Sequence, residues 1–394
     1  MLRHLRGAGI IGPWHPIGNG RQVGLSPTRC YENLSEPAGR EGQREGTELV
    51  NVVIIGTGFG RYGMAPVYAN LGFDVELVSP REPVAIERAL ASRVDLVSVH
   101  SPPFMHRGHV MTAIERGYAV LCDKPFGCNS AEARDLRYQA SEAGVLHFLN
   151  CEFRFNPARV RMKELIEEGT IGAVEHVSTT FFGNGFRGRN HAWLNDNELG
   201  GGWIGAWGSH AVDALRWMLD SEVVDCGGVS RIETPMRPDG AGGQRPSTAE
   251  DAFTAWFLMQ NGSTASIDTG FSASVPLPQR LIVMGSDGAL ELVNEATLIL
   301  RRAPAEDPSI PREERIRRAV GETEGELIMQ LPPPPGDPHE RSLTPWLGRV
   351  KEALAEGRQI LPSFDDGVAV AEVMEKLKAS LIPGGRRHET EVEQ

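Results

Sequence analysis

Short apolar runs separated by helix-forming stretches mark the chain from about residue 49 to residue 151. Asn51-Val52-Val53-Ile54-Ile55 is almost wholly apolar and rich in β-branched residues, the pattern of a parallel strand buried on both faces. Further strands are predicted over 74–78, 94–99, 118–122 and 145–150. Between them the sequence predicts a helix after Gly63 that Pro66 interrupts, one over 84–92, one over 105–116 ended by Gly117, and one reaching 143 and ended by Gly144. Asn129, with Glu132 three residues on, reads as a capping box for the last of these. Strand, loop, helix and strand in repetition describe a doubly wound parallel sheet, whose ligands gather beyond the carboxyl ends of the strands.

The second half has a different rhythm. Asn156 and Pro157 read as the N-cap and first turn of a helix that runs to Glu168 and stops at Gly169. Strands are predicted over 174–182, 252–259, 264–269, 281–284 and 290–293, a clustering that suggests an open, largely antiparallel sheet with one face free to meet another subunit. Gly200-Gly201-Gly202 gives the backbone room for a close approach before a helix that continues through Leu219, with His210, Asp213 and Trp217 on one face. Beyond about residue 300 the chain is charged and proline-rich and is expected to be an extended surface connection. Residues 346–356 and 365–380 are amphipathic helices expected to pack back on this sheet.

A length of 394 residues suits two domains, and a net charge of −12 argues against a nucleic-acid partner. No run of about 18 apolar residues appears, so no membrane-spanning helix is expected. The 5 cysteines show no Cys-x-x-Cys pair and no zinc spacing, which predicts no metal site and a reducing compartment. Residues 1–48 are rich in Gly, Pro and Arg, with no acidic residue before Glu32. They read as a disordered tail of a cytoplasmic protein, with an organelle-targeting signal as the alternative. The expected organisation is a dinucleotide-binding domain over 49–151, a substrate and oligomerisation domain over 152–385, and a tail over 386–394.

The candidate chemistry follows from the strand ends. Gly56-Thr57-Gly58-Phe59-Gly60 comes directly after the first strand and before the second, where glycines let the backbone approach a pyrophosphate that helix N–H groups then meet. The sixth fingerprint position is Arg61 rather than Gly. At the end of the second strand, Ser79 and Arg81 stand where an acidic residue would favour NAD, which leans toward NADP, with Glu82 close enough to keep NAD open. Lys124 falls at the carboxyl end of a strand, beside Pro125.

Taken in order, Gly56-Thr57-Gly58-Phe59-Gly60, Ser101-Pro102-Pro103, Asp123-Lys124-Pro125 and Glu152-Phe153-Arg154-Phe155-Asn156-Pro157 resemble the glucose-fructose oxidoreductase, inositol dehydrogenase and MocA-like family of NAD(P)-dependent oxidoreductases. The resemblance covers roughly residues 52–380 and implies an N-terminal Rossmann domain followed by an α/β domain on a large open sheet. It implies a cofactor set of Gly56, Thr57, Gly58, Phe59, Gly60, Ser79, Arg81, Ser101, Pro102, Pro103, His106 and Lys124, with NADP or NAD as cofactor. It also implies Lys124 and His210 as the catalytic pair. The family has Glu-Lys-Pro where this chain has Asp123, and an aspartate where this chain has Ala206, four residues before His210. Arg154, Arg189, His191 and Trp207 are the candidate substrate contacts, with Asn184, Arg187 and Asn190 as further polar groups of the loop over 183–195.

Three functions are compatible with this reading. The first is a dehydrogenase or reductase acting on a sugar, polyol or related hydroxyl compound, with His210 as base and Lys124 donating to the developing alkoxide. The second is glycoside cleavage through transient oxidation, with no net redox change. The third is a non-catalytic NAD(P)-binding regulatory protein. Homo-oligomerisation through the open sheet face is expected in each.

Overall fold

The computed structural model describes residues 49–304, 309–321, 323–334 and 336–384, so the expectations for the two tails lie outside the described residues. Strands β1 (Val50–Ile55), β2 (Phe73–Val78), β3 (Leu96–Val99), β4 (Ala119–Cys122) and β5 (His147–Leu149) form one parallel sheet in the order β2-β1-β3-β4-β5. The order turns at β1, which places a ligand crevice beyond the carboxyl ends of β1 and β3. A five-residue π-helical stretch at Gly60–Met64 runs directly into α1 (Ala65–Asn70), and Pro66 falls in its first turn, where its missing N–H costs nothing. The helices α2 (Pro83–Leu90), α3 (Pro103–Glu115) and α4 (Ser130–Ala143) complete the pattern. Gly117 and Gly144 follow α3 and α4 in left-handed conformations (φ 73° and 64°), as helix-ending glycines do. Only half of the expected capping box is seen. Asn129 accepts the Glu132 backbone N–H at 2.9 Å, while the Glu132 carboxylate turns toward the backbone of Cys128.

Alternation along the strands sends side chains to two covered faces. Val53, Ile55, Val97, Val99 and Val120 pack under α2, α3 and α4. Val52, Ile54, Leu96, Leu121 and Phe148 pack under α1 and α8 (Glu340–Glu356), whose Leu343, Trp346, Leu347 and Val350 are fully buried there. This corrects the expectation that the C-terminal helices lie on the larger sheet. α8 returns to the first sheet because that sheet's second face is otherwise only partly covered, by α1. α9 (Phe364–Ser380) bridges instead, with Phe364 in the first core and Val370, Val373, Met374 and Leu377 in the second.

After α5 (Pro157–Glu167) and α6 (Ser209–Leu219), the second half is built on nine strands. These are β6 (Val174–Phe182), β7 (Val223–Arg231), β10 (Ala252–Met259), β11 (Thr264–Gly270), β12 (Arg280–Gly285), β13 (Gly288–Val293), β14 (Thr297–Arg302), β15 (Glu326–Gln330) and β16 (Leu381–Pro383), with the hairpin β8 (Met236–Pro238) and β9 (Gln244–Pro246) set apart. The order is β15-β14-β13-β12-β6-β11-β10-β7-β16, antiparallel except for β6 with β11 and β7 with β16. α6 lies against the inner face, while Trp256 and Leu258 of β10 are exposed on the outer one. The sequence hid β7 behind Gly227-Gly228. A Cβ at Gly228 would lie 2.2 Å from the Thr254 carbonyl oxygen of the neighbouring strand, so the close pairing requires the residue that weakens the strand pattern. The stretch beyond 300 is more than a connection, since it carries α7 (Arg312–Ala319) and the edge strand β15, which pairs with β14.

Candidate active site

A cavity of about 520 Å³ opens beyond the carboxyl ends of β1, β3 and β4, between the two sheets. The cofactor-side residues Thr57, Gly58, Phe59, Ser79, Arg81, Ser101, Pro102, Pro103 and Lys124 all line it. Gly56 and Gly60 stand behind the wall for a steric reason. A Cβ at Gly56 (φ 152°) would meet the His100 carbonyl oxygen at 2.4 Å, and one at Gly60 would meet Ile54 at 2.9 Å, while Gly58 faces open space. One glycine makes the turn, one leaves room over the cavity, and one lets the helix press on β1, as a dinucleotide cradle requires. Arg61 in the sixth position is tolerated because Gly63 does the remaining packing work: its Cβ would strike the Phe59 ring at 2.4 Å. His106 departs from expectation. It is buried, it bonds the Ser101 carbonyl oxygen at 2.6 Å, and burial lowers its pKa to about 4, so it braces the loop rather than lining the cavity.

Asp123 sits beneath Lys124 in a buried chain. Tyr68 Oη pairs with Ser98 Oγ at 3.0 Å, Ser98 with His100 Nε2 at 2.8 Å, and His100 Nδ1 with Asp123 Oδ2 at 3.1 Å. Burial alone would raise the Asp123 carboxyl, but the bond to His100 and the charges of His100 and Lys124 outweigh it and hold it at about 2. Asp123 also accepts the Lys124 backbone N–H at 2.9 Å, which fixes the start of the cis Lys124–Pro125 peptide.

The facing wall is made from distant segments. Glu250 accepts the Ile204 N–H at 3.0 Å at the start of a π-helical stretch over Ile204–Gly208. Gly201 and Gly202 are required because a Cβ on them would strike the Trp193 carbonyl oxygen and the Glu250 carboxylate. That stretch presents the Ala206 carbonyl oxygen, and Lys124 Nζ donates to it at 2.7 Å. The backbone thus holds the ammonium at the position where the resembled family carries an aspartate.

His210 is one layer behind this wall. It is buried against Phe153 (ring centroids 4.4 Å apart) and faces a crevice of about 10 Å³ that it shares with Trp207 between α6 and the nine-stranded sheet. Burial, then the charges of Lys124, His339 and Arg159, push it well below the ordinary histidine value, and its Nε2 has no hydrogen-bond partner.

Two residues that sequence reasoning passed over stand in front of it. Glu152 is buried, lines the cavity and accepts His339 Nδ1 at 2.8 Å, while its Oε1 lies 3.8 Å from His210 Nε2. Burial works to lower His339, but the bond and charge of Glu152 raise it. Tyr62, also on the wall, was missed as well. Glu152 belongs to the run quoted for the family resemblance, yet no spacing rule singled it out. His339 followed a proline run that looked like surface.

The substrate candidates fare differently. Arg154 is buried in a clamp, donating to Asp213 at 2.8 and 2.5 Å and to Asp366 at 2.7 Å, and the carboxylates raise its pKa against the opposing effect of burial. It ties α6 to α9 and does not line the cavity. Trp207 is buried and stacked parallel to Trp203 at 6.0 Å. Arg189 lies over the Phe186 ring at 6.0 Å and His191 donates its backbone N–H to the Pro238 carbonyl, both outside the wall. The loop reaches the cavity through Trp193 and Leu194 instead.

Comparison with known proteins agrees with this fold. The family model described as an oxidoreductase family with an NAD-binding Rossmann fold matches residues 50–151, and that of the GFO/IDH/MocA C-terminal domain matches residues 160–291. An uncharacterized oxidoreductase of Synechocystis is 28% identical over 265 residues, 62% of this chain and 71% of that protein. Glucose-fructose oxidoreductase domain-containing protein 1 of Xenopus tropicalis is 25% identical over 263 residues, 61% of this chain and 66% of that one. Among solved structures, levoglucosan dehydrogenase in complex with NADH and L-sorbose shares the fold with a TM-score of 0.71 at 19% identity, covering 84% of this chain and 96% of that one. A super-repressor mutant of Gal80p from Saccharomyces cerevisiae shares it with a TM-score of 0.68 at 15% identity, covering 84% and 95%.

Proposed function

Because the chain belongs to the GFO/IDH/MocA family of NAD-binding oxidoreductases, we propose that it is a dehydrogenase or reductase of CH–OH groups on a sugar, polyol or related compound. The observation that carries this reading is Lys124 Nζ, held at the cavity wall by the Ala206 carbonyl and close enough to a buried, neutral His210 to depress its pKa. The nicotinamide, when bound, supplies the hydride acceptor or donor. Thr57, Gly58 and Phe59 would cradle its phosphates, and Ser79 and Arg81 would meet the adenosine ribose, with Arg81 suited to a 2′-phosphate. Lys124 donates a hydrogen bond to the substrate oxygen as negative charge develops on it, in a cavity with low-dielectric walls. His210 is the candidate acceptor of the hydroxyl proton, and because it lies behind the wall the proton reaches its Nε2 by way of a residue that lines the cavity.

The test is a panel of sugars, polyols and glycosides offered with NAD and with NADP, following absorbance at the reduced nicotinamide band together with product. Net reduction of cofactor supports the dehydrogenase. Aglycone release without net reduction points to redox-assisted glycoside cleavage. Cofactor binding with no turnover points to a regulatory protein, a reading that the alanine at 206 favours. The proposal extends to a cytoplasmic homo-oligomer without nucleic-acid partners, in which a second copy covers Trp256 and Leu258 on the outer face of the large sheet. Trp256→Lys yielding a smaller sedimenting species is the expected outcome.

A further inference from the structure

The candidate base His210 is buried among cations. Lys124, Arg159 and His339 all bear on His210, and a histidine in that company accepts a proton poorly. Among the described residues the carboxylate within 4 Å of the ring is Glu152, on the 3-10 turn Glu152–Phe155 that follows β5. Its Oε2 has no hydrogen-bond partner and is buried, as is Nε2 of His210. Both atoms can therefore take a partner other than those they have here.

What keeps them apart is on the same carboxylate. His339, just before α8, holds Glu152 Oε1 at 2.8 Å, against 3.8 Å to His210, and is itself packed between Phe59 at 5.0 Å and Phe153 at 5.4 Å. We propose that Glu152 is the proton relay between the cavity and His210, and that His339 competes for it. While His339 is protonated, Glu152 is engaged by an ion pair. Once His339 is neutral, the carboxylate takes the substrate hydroxyl proton at the cavity wall and hands it to Nε2 of His210, whose imidazolium it then pairs. That proton then leaves through Glu152 to the solvent of the cavity it lines. Besides Glu152, the charged groups facing His339 are Lys124 from the end of β4 and Asp337 from its own segment, while Lys124 and Arg159 of α5 face His210. Oxidation therefore accelerates as pH rises through the pKa of His339, which Glu152 lifts above 6.5.

This rests on the dehydrogenase reading for its role in turnover, but the coupling itself has a readout without turnover. Histidine-selective 15N NMR titrations of the full chain with NADH bound, in wild type, Glu152→Gln and His339→Asn, read it directly. His339 is expected to titrate lower in Glu152→Gln, and His210 higher in His339→Asn. With a substrate in hand, Glu152→Gln is expected to lose about 10²-fold in kcat while keeping cofactor affinity, and His339→Asn to lose the rising limb of the pH profile. Coupled titrations in a protein that turns over nothing sink the dehydrogenase reading and support the pairing. Titration of His210 that neither substitution moves, in variants that still bind NADH, overturns the proposal.

Discussion

The two walls of the cavity are assembled in different ways. The cofactor side comes from three short strand-end segments, Thr57 to Tyr62, Ser79 to Arg81 and Ser101 to Pro103, each placed by the strand before it. The facing side draws Glu152, Ala206 and His339 from three separate parts of the chain, and Lys124 reaches across to it from the end of β4. A wall built from strand ends inherits its geometry from the sheet. A wall built from distant segments depends on whatever ties those segments together, so it is the more fragile of the two and the more open to change of function.

The sharpest way to break that difference is at the tie. Arg154→Ala leaves Asp213 buried without its partner, while Asp366 keeps Arg216 at 3.6 Å, and is expected to cost about 3–5 kcal/mol in denaturant unfolding, whereas Arg189→Ala, on an exposed loop, is expected to stay within about 0.5 kcal/mol. An Arg154→Ala protein as stable as wild type would mean that the second wall has another anchor. Lys124→Ala comes next. It is expected to lower turnover by about 10²–10³-fold while cofactor affinity, measured by quenching of protein fluorescence, stays near wild type.

On the cofactor side the expected effects are milder. His106 has a pKa lowered by burial to about 4 from an ordinary 6.5, so the folded chain keeps it neutral where the unfolded chain protonates it. Its contribution is complete above about 6.5 and is lost as pH falls through about 4, on the order of 3 kcal/mol. His106→Phe should flatten that part of the stability profile, read by unfolding at stepped pH. The smallest effect separates cradle from core within one loop. Gly58→Val, at a position where a Cβ meets nothing, is expected to weaken dinucleotide binding about tenfold with Tm unchanged, whereas Gly56→Ala loses Tm first.

The same contrast explains what could be read without the structure. The buried runs at β1 and β3, the glycine loop between β1 and β2, and the strand carrying Lys124 are local patterns, and each appears where the sequence predicts it. β7 was hidden because its central glycines serve a close strand approach, and β15 because its residues lie at a sheet edge among charged and proline-rich neighbours. Glu152 and His339 carry no pattern, since their meaning lies in a 2.8 Å contact between segments far apart in the chain. Arg154 looked like a substrate contact because a charge in a family motif invites a ligand. Its ligands are two aspartates of the same chain.

α8 has a consequence for how the molecule comes into being. The residues that close the second face of the five-stranded sheet, Leu343, Trp346, Leu347 and Val350, are synthesised after almost the whole of the nine-stranded sheet. On the ribosome, the first sheet emerges with Val52, Leu96, Leu121 and Phe148 lacking most of their cover, and it waits for the chain's late return. The described residues from 49 onward form one compact unit, so the sheet made first is among the last parts to be finished.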